Sequence, residues 1–482
     1  MVHHNSSKKV VILGGGIGGM IAAYKLSLTG FNVCLIESKS ILGGLSTTIK
    51  LEDCYFDLGP HAFHVQIERA VNEVKDILKD ELGTSFFNSE VYFMNKYMAH
   101  PLTLKDVLLS IKPSLAAESI FDFIKARVAN KIEKKVDASF TDWVTNRFGK
   151  KLHDIYFGSY TQKVWGRDPK NLTSTFASAR IPVTSLGEVM RKMVFGSLFE
   201  KKDGHSHSPY GRKFYYPKKE GIGRLISVLK DKLEALGVEI HLDSHVRNII
   251  MDGKKVKKVI CRYPNAEKTI ECDYLLSTIP INDLVKSVRP LVGEKILKSS
   301  DKLNYRGLVL LFLIVNKDRI TKNNWINFSQ PDIIFNRLYE TKNFSEDAAP
   351  PGKTGICLEV TCDKGDKLWN MPADELYKIC EKDLEKSNFL NPKDISYYSS
   401  EKIEHGYTIY EKGYEDHLVN LIEYFDNIEN LITFGRQGLF TYTNMDHSVD
   451  MAISAADYLQ HPENFKTKIR AKDLFHNYIL SY

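Results

Sequence analysis

Three glycines near the N-terminus have the spacing of a loop that binds the phosphates of a nucleotide. Gly14, Gly16 and Gly19 follow a short apolar run at residues 10–13 and precede a stretch with helical character. In such a strand–turn–helix unit the first glycine permits a tight turn, the second lets the backbone approach a pyrophosphate, and the third lets the helix pack closely on the sheet. The amides and the dipole at the helix N-terminus then stabilise the phosphate charge.

An acidic residue at the expected distance extends this motif to a dinucleotide. A second apolar run, residues 32–36, ends at Glu37. Its carboxylate can accept hydrogen bonds from ribose hydroxyls, and it disfavours the 2′-phosphate of NADP. The N-terminal region is therefore predicted to form a Rossmann-type dinucleotide-binding unit.

Two further loops follow this acid and carry a family resemblance. Gly43 and Gly44 form a pair, and Gly59, Pro60 and His61 follow in a second loop. The combination resembles the FAD-binding proteins of the amine oxidase, protoporphyrinogen oxidase and UDP-galactopyranose mutase superfamily. That resemblance implies non-covalently bound FAD, with the glycine pair beside its pyrophosphate and the His61 loop beneath its isoalloxazine ring.

Segments outside the cofactor motif resemble the UDP-galactopyranose mutases in particular. They are residues 160–166 (YTQKVWG), 404–407 (EHGY) and 435–448 (GRQGLFTYTNMDHS). The resemblance implies a substrate-binding set of Tyr160, Trp165, Arg180, Arg337, Tyr407 and Tyr442. It also implies that Arg436, Asn444, Met445 and Asp446 lie at the flavin.

The catalytic residues implied by this resemblance are His61, Arg180 and Arg337. His61 would hold or relay a proton near the flavin, a role that a neutral imidazole can fill at pH 7. Arg180 and Arg337 would hold the leaving diphosphate, because a planar guanidinium can donate two parallel charge-assisted hydrogen bonds to phosphate.

The mutase resemblance implies an FAD-dependent isomerase that interconverts pyranose and furanose forms of a UDP-galactose-like sugar nucleotide. The implied process is surface polysaccharide biosynthesis, with the flavin reduced and NAD(P)H as a candidate reductant. Gly59, Pro60 and His61 differ from the Gly-Gly-His of the mutases and also fit oxidase-type relatives. An FAD-dependent oxidoreductase is therefore the alternative, and a non-catalytic flavin or nucleotide-sugar binding protein is a third, since a fold does not fix a function.

The elements that position these residues come from separated parts of the chain. A glutathione-reductase-like FAD-binding domain of the α/β class is predicted from residues 8–70, 214–285 and 400–482. Residues 71–213 are predicted to form a mainly helical insertion, because apolar residues recur there at spacings of three and four. Residues 286–399 are predicted to form an antiparallel sheet for the substrate, with strands near 308–315, 333–339 and 355–361.

Composition narrows the classes of function. A chain of 482 residues with 43% hydrophobic and 26% charged residues is typical of a packed enzyme. The net charge of +6 is too mild to indicate nucleic acid but suits a small anionic substrate. Seven cysteines without a Cys-x-x-Cys pair predict no disulfide framework and no metal site, and a cytoplasmic location. No apolar run is long enough for a transmembrane segment, and the oligomeric state stays open.

Overall fold

The computed structural model describes residues 8–100, 104–133, 135–181 and 213–462, without the side chains of residues 104, 105, 179 and 180. The strands among these residues are β1 (Lys9–Leu13), β2 (Asn32–Ile36), β3 (Thr48–Leu51), β4 (Cys54–Asp57), β5 (Phe63–His64), β6 (Leu82–Phe86), β7 (Ser89–Phe93), β8 (Lys96–Ala99), β9 (Lys213–Pro217), β10 (Glu239–His241), β11 (His245–Asp252), β12 (Lys255–Arg262), β13 (Glu267–Glu271), β14 (Tyr274–Ser277), β15 (Val288–Arg289), β16 (Asn304–Val315), β17 (Trp325–Phe328), β18 (Arg337–Glu340), β19 (Thr354–Cys362), β20 (Ile395–Ile409) and β21 (Leu431–Thr433).

The helices of the same ranges are α1 (Ile17–Leu28), α2 (Glu68–Leu78), α3 (Leu104–Ser110), α4 (Pro113–Ile132), α5 (Phe140–Phe148), α6 (Lys150–Leu152), α7 (Gly158–Trp165), α8 (Ser174–Arg180), α9 (Gly223–Ala235), α10 (Ile281–Ser287), α11 (Glu294–Asp301), α12 (Lys367–Asn370), α13 (Ala373–Lys386), α14 (Tyr414–Asp426), α15 (Gly435–Gly438) and α16 (Met445–Gln460). Among them, none has both the length and the apolar character that crossing a membrane requires.

A five-stranded parallel sheet, in the order β10-β2-β1-β14-β21, forms the centre of the nucleotide-binding part. Its inner strands are buried almost throughout, which explains why β1 and β2 appear in the sequence as continuous apolar runs. The strands come from both ends of the described chain. The predicted strand–turn–helix–strand unit is therefore confirmed, and it is completed by strands from distant segments.

Neither Gly14 in the turn after β1 nor Gly19 in the first turn of α1 has room for a side chain. Gly14 has φ +98°, a left-handed conformation that favours glycine. A Cβ atom at Gly19 would lie 2.0 Å from the carbonyl oxygen of Gly14. The helix can therefore sit directly on the turn only because position 19 has no side chain.

A seven-stranded sheet, in the order β20-β16-β19-β18-β17-β7-β8, supplies the other large surface. Alternate residues of β16 enter two separate cores: Leu308 and Leu310 face the nucleotide-binding part, whereas Val309 and Leu311 face the opposite core, which includes residues of α13. Because both faces are covered, β16 is apolar at nearly every position. The antiparallel sheet predicted for this region is confirmed.

Two details of secondary structure differ from the sequence-based expectation. The strands β6, β7 and β8 lie within the segment predicted to be mainly helical. Their residues alone do not indicate strands, because these short strands form by pairing with the distant strands β9 and β17. The strand predicted at 333–339 begins only at Arg337, since Ile333 and Phe335 are buried as anchors of an irregular loop. The boundaries of the three predicted domains stay a prediction.

Replacing Gly19 by alanine tests the close packing of α1 on its turn. The added methyl group must displace backbone, so we expect Gly19→Ala to lower the free energy of unfolding by at least about 3 kcal/mol. Gly293→Ala is the matched control, because Gly293 has φ −60° and nothing within 4 Å of an added Cβ. It should change stability by no more than about 0.5 kcal/mol. Equal losses in urea unfolding of the two variants would contradict this account.

Candidate functional site

The predicted dinucleotide loop is held by backbone hydrogen bonds and by the side chain of Glu37. The amide of Gly15 donates to Glu37 Oε2 at 2.7 Å, and the amide of Gly43 donates to the carbonyl of Gly15 at 2.8 Å. Gly43 and Gly44 both have positive φ, +113° and +56°, so the second glycine pair also needs its conformational freedom. Gly16 pairs with Gly43 in an isolated bridge. The structure thus brings the predicted cofactor-binding glycines and the acid together.

The N-terminus of α16 lies against the first turn of α1. A Cβ at Gly18 would be 3.5 Å from the carbonyl oxygen of Ser448 in α16. The Asp446 carboxylate is fully buried, and neither of its oxygens accepts a hydrogen bond from the described residues, although Oδ1 is 3.2 Å from Nδ1 of His447. A buried acceptor without donors fits a ligand that offers hydroxyl groups, such as the ribityl chain of FAD. Asn444 caps this helix with extended backbone.

The loop that carries His61 turns sharply at Gly59. Gly59 has φ +123°, and the amide of His61 donates to its carbonyl at 2.8 Å. Burial lowers the pKa of His61 to about 3, and the charges of Arg436 and Arg337 act in the same direction. The ring is therefore neutral at pH 7. Its Nδ1 is buried and has no partner among the described residues, so it is available to a ligand.

A buried carboxyl, not predicted from the sequence, fixes this loop from behind. Asp57 accepts hydrogen bonds from the hydroxyls of Thr48 and Tyr216 at 2.5 and 2.6 Å, and from the amide of Ile222 at 3.1 Å. The Tyr339 hydroxyl of the large sheet donates to the Asp57 carbonyl at 2.5 Å. Burial raises the pKa of Asp57 to about 6, although all three donors favour its ionised form. Asp57 thereby ties the loop to the large sheet.

A second buried acid pairs with the predicted phosphate-binding arginine. Arg337 Nη2 lies 2.8 Å from Oε1 and 2.9 Å from Oε2 of Glu359, which is fully buried. The hydroxyl of Tyr407 lies 3.0 Å from Arg337 Nη2 and donates to Glu359 Oε2 at 3.1 Å. Arg337 and Glu359 are direct neighbours across β18 and β19. The sequence signal for Glu359 is a single acid within an otherwise uncharged, fully buried strand.

Aromatic rings line the same region. The ring centroids of Tyr407 and Tyr442 are 5.3 Å apart, and those of Trp165 and Tyr407 are 6.1 Å apart. Arg436 lies over the Tyr442 ring, with Cζ 4.2 Å from its centroid. Its two terminal nitrogens donate to backbone carbonyls at 2.6 and 2.7 Å. With Arg337, which is hydrogen-bonded to Tyr407, the structure therefore brings five of the predicted residues into one wall.

Helix α7, which carries Trp165, also brings a sixth predicted residue to this wall. The Tyr160 hydroxyl is 3.5 Å from Oδ1 of Asn327, which is paired with Arg337 across β17 and β18. Lys163 anchors the helix by donating to two backbone carbonyls after β17 at 2.7 and 2.8 Å, and burial lowers its pKa to about 7. Arg180 ends helix α8, but its side chain lies outside the described part of the structure.

His100, which no sequence motif indicates, lies close enough to Arg337 for the charge of the arginine to affect its pKa. Burial lowers the pKa of His100 to about 4, and the charge of Arg337 adds to this shift. Its Nδ1 is 3.3 Å from the hydroxyl of Ser89 on the neighbouring strand. His100 follows the edge strand β8, and no motif in the sequence connects this segment with Arg337.

The chain has recognisable relatives. A model of the flavin-containing amine oxidoreductase family matches residues 17–416. The chain is 25% identical over 185 residues to a "Probable UDP-galactopyranose mutase" of Klebsiella pneumoniae, covering 37% of this chain and 46% of that protein. It is 19% identical over 463 residues, 88% of each chain, to protoporphyrinogen oxidase 2 (chloroplastic/mitochondrial) of Arabidopsis thaliana. The chain thus spans less than half the length of the Klebsiella protein that it matches.

A solved structure shares the fold. The crystal structure of a reduced UDP-galactopyranose mutase superposes with a TM-score of 0.81 at 21% identity, covering 98% of this chain and 97% of that one. The predicted fold class, an α/β FAD-binding fold of the amine oxidase and mutase type, is confirmed by this match.

The pairing of Arg337 with Glu359 can be measured by a double-mutant cycle. Arg337→Met leaves a buried carboxylate without its cation, which should lower the free energy of unfolding by about 3 kcal/mol. We place the loss at the low end of the range for buried pairs because the Arg337 side chain is 24% exposed. Adding Glu359→Gln should restore at least about half of that loss, since no charge is then stranded.

The control for this cycle is the exposed pair of Lys298 and Glu294, whose side chains are 75% and 80% exposed. Lys298→Met should cost less than about 0.5 kcal/mol. The free energies of unfolding are measured in urea. If the losses from the Arg337 and Glu359 substitutions are additive in the double variant, the two side chains do not interact energetically, and this account of the cluster is wrong.

Proposed function

Because this chain belongs to the flavin-containing amine oxidoreductase family, we propose that it is an FAD-dependent nucleotide-sugar mutase. The substrate would be a UDP-galactose-like sugar nucleotide, interconverted between pyranose and furanose forms. The observation that carries the proposal is the cluster of Arg337, Tyr407 and Tyr442 beside the neutral ring of His61. A role in surface polysaccharide synthesis follows from the mutase similarity alone.

The polar character of the cluster favours a diphosphate ligand. Arg337 Nε is buried and has no hydrogen-bond partner among the described residues, although Nη2 is held by Glu359 and Tyr407. This arrangement fixes the guanidinium plane and leaves the Nε donor for a phosphate oxygen. A polyene or porphyrinogen would instead need a long apolar lining, and an unpaired buried N–H there would be costly.

The residues around the cofactor fit FAD. Glu37 and the glycine loops would hold its adenosine and pyrophosphate, and Asp446 would accept hydrogen bonds from its ribityl hydroxyls. When bound, FAD in its reduced form would supply the covalent chemistry at the sugar, with NAD(P)H as a candidate reductant. The chain itself would provide orientation and electrostatics.

Each substrate-side residue has a distinct part in this proposal. Arg337 and the hydroxyls of Tyr407 and Tyr442 would stabilise the negative charge that develops on the leaving diphosphate. Trp165, which packs near Tyr407, would exclude water on one side. His61 would accept or donate a proton at Nδ1, because burial, supported by the nearby arginines, lowers its pKa and keeps its ring neutral. Arg180 stays in the proposed clamp on the strength of the sequence resemblance.

A second candidate function is an FAD-dependent oxidoreductase. The similarity to protoporphyrinogen oxidase 2, which extends over 88% of both chains, favours it. The two functions differ in electron balance. A mutase needs reduced flavin but consumes no reductant, whereas an oxidoreductase uses one acceptor for each product.

Anaerobic turnover separates these functions. We expect protein reduced once with dithionite to interconvert UDP-galactopyranose and UDP-galactofuranose for many turnovers, with no further reductant consumed. Oxidised protein should be inactive, and both states are followed by product chromatography. The mutase proposal fails if reduced protein converts no nucleotide sugar. Reduction of the oxidised flavin by an amine or a porphyrinogen would then support the oxidoreductase.

Substitution of Arg337 tests the phosphate clamp. Arg337→Lys keeps the charge but removes the planar fork, so affinity for UDP should fall by about 1–3 kcal/mol while FAD content stays unchanged. Tyr442→Phe should cost about 0.5–1.5 kcal/mol, since one hydroxyl donor is lost and the ring remains. Both are measured by titrating the flavin spectrum with UDP.

Arg319→Lys serves as the control for these titrations. Arg319 also pairs with a glutamate, Glu346, but it lies after β16 and outside the cluster. Unchanged UDP affinity in this variant, against weakened affinity in Arg337→Lys, is the expected pattern. Equal affinities in all the variants would remove the clamp from the proposal.

A further inference from the structure

Three different metal-binding side chains meet at the edge of the parallel sheet, away from the cluster around Arg337. Cys34 lies on β2 and is paired directly with Glu239 on β10. His241 is two residues further along β10, so it points to the same face as Glu239. The Cys34 thiol, a carboxylate oxygen of Glu239 and a ring nitrogen of His241 all lie within 4.8 Å of one another.

We propose that Cys34, Glu239 and His241 bind a Zn²⁺ ion. A thiolate, an imidazole and a carboxylate form a donor set that suits this borderline-soft cation, which takes four ligands in tetrahedral geometry. Ligand atoms of one Zn²⁺ ion must approach more closely than the present spacing. Glu239 Oε2 already lies 3.8 Å from Nε2 of His241, and its exposed side chain can move further once the contact with Lys9 is broken. The fourth position remains for water.

A neighbouring phenol provides an independent sign of a ligand. The hydroxyl of Tyr263 is buried and has no hydrogen-bond partner among the described residues. Its ring packs edge-on against His241, with centroids 5.3 Å apart, and burial together with nearby Cys261, Cys34 and Glu239 raises its pKa to about 12. A buried hydroxyl without a partner is unfavourable. A metal-bound water would satisfy it.

The protonated thiol of Cys34 and the ammonium groups of two nearby lysines disfavour binding of a cation at this position. Burial raises the pKa of Cys34 to about 12, so the free thiol is protonated and metal binding must release a proton. Lys9 Nζ lies 3.6 Å from Glu239 Oε2, and Lys268 Nζ lies 4.8 Å from the Tyr263 ring centroid. Burial and the charge of Lys268 lower the pKa of His241, which leaves its imidazole neutral, the form that binds metals.

The ion would connect two strands at the edge of the parallel sheet. β10 has only three residues, so its pairing with β2 is short. The amide of Glu37 donates to the carbonyl of His241 at 2.8 Å, and the amide of Ser244 donates to the carbonyl of Glu37 at 2.9 Å. An ion that joins β2 to β10 would therefore hold the backbone of the acid proposed to bind the cofactor ribose. Cysteine spacing predicts no metal site in this sequence, whereas these ligands come from two strands that are distant in the chain.

Zinc binding to the full-length FAD-containing protein tests this inference. Protein stripped with a chelator and dialysed is titrated with ZnCl₂ against a chromophoric indicator, and bound zinc is counted by elemental mass spectrometry. We expect one equivalent of tightly bound zinc per chain, above any weak non-specific binding. Cys34→Ser and His241→Asn should each weaken binding by at least about 100-fold, the upper limit for loss of an outer-shell partner, and Tyr263→Phe by about 10-fold.

Cys380→Ser is the matched control, because Cys380 is a buried thiol in the other core of the large sheet. It should keep full zinc affinity. The inference is overturned if the wild type binds no more zinc than the Cys34→Ser and His241→Asn proteins, or if Cys380→Ser loses as much. FAD content reports folding in each variant, and His241→Asn, at a partly exposed edge position, decides the outcome if Cys34→Ser fails to fold.

Discussion

The buried carboxylate of Glu359 is the constraint on which the substrate side of the molecule depends. A carboxylate removed from water is tolerated only when cations and hydrogen-bond donors surround it. Here the donors are Arg337 and Tyr407, which come from strands on either side of β19. The need to satisfy one acid therefore fixes an arginine and a phenol from separate strands. Aromatic packing then extends this fixed pair to Tyr442 and Trp165.

A second buried acid, Asp57, holds separate elements together on the cofactor side, as Glu359 does on the substrate side. Its side chain gathers donors from β3, from β9 and from the turn before α9, while its carbonyl accepts the Tyr339 hydroxyl of the large sheet. The loop with Gly59 and His61 is thus tied to the large sheet and to the two small sheets that contain β3 and β9. Burial, supported by the charges of Arg436 and Arg337, keeps the His61 ring neutral at pH 7, so this state is a property of the fold and not of one contact.

The sequence predicts a site best where ligand binding requires a particular backbone geometry from residues that are close together in the chain. The glycines of the first loop and the acid at the end of β2 were identified because a phosphate imposes turn geometry and close approach on consecutive residues. The roles of Glu359 and Asp57 could not be predicted from the sequence, because their hydrogen-bond partners come from strands that are distant in the chain. The short strands β6 to β8 were missed for the same reason. Arg337 was identified by resemblance, but its dependence on Glu359 appears only when β18 and β19 are paired.

The order of strands in the parallel sheet also determines when this protein can acquire its fold during synthesis. The strand β21 and the helix that carries Asp446 are the last described elements of the nucleotide-binding part, whereas β1 and β2 are the first. A ribosome must therefore deliver more than 430 residues before the sheet reaches its final width. Until then the nascent chain exposes an apolar strand edge, a state prone to aggregation and suited to chaperone capture. The sheet that carries the proposed dinucleotide loop is therefore completed only late in synthesis.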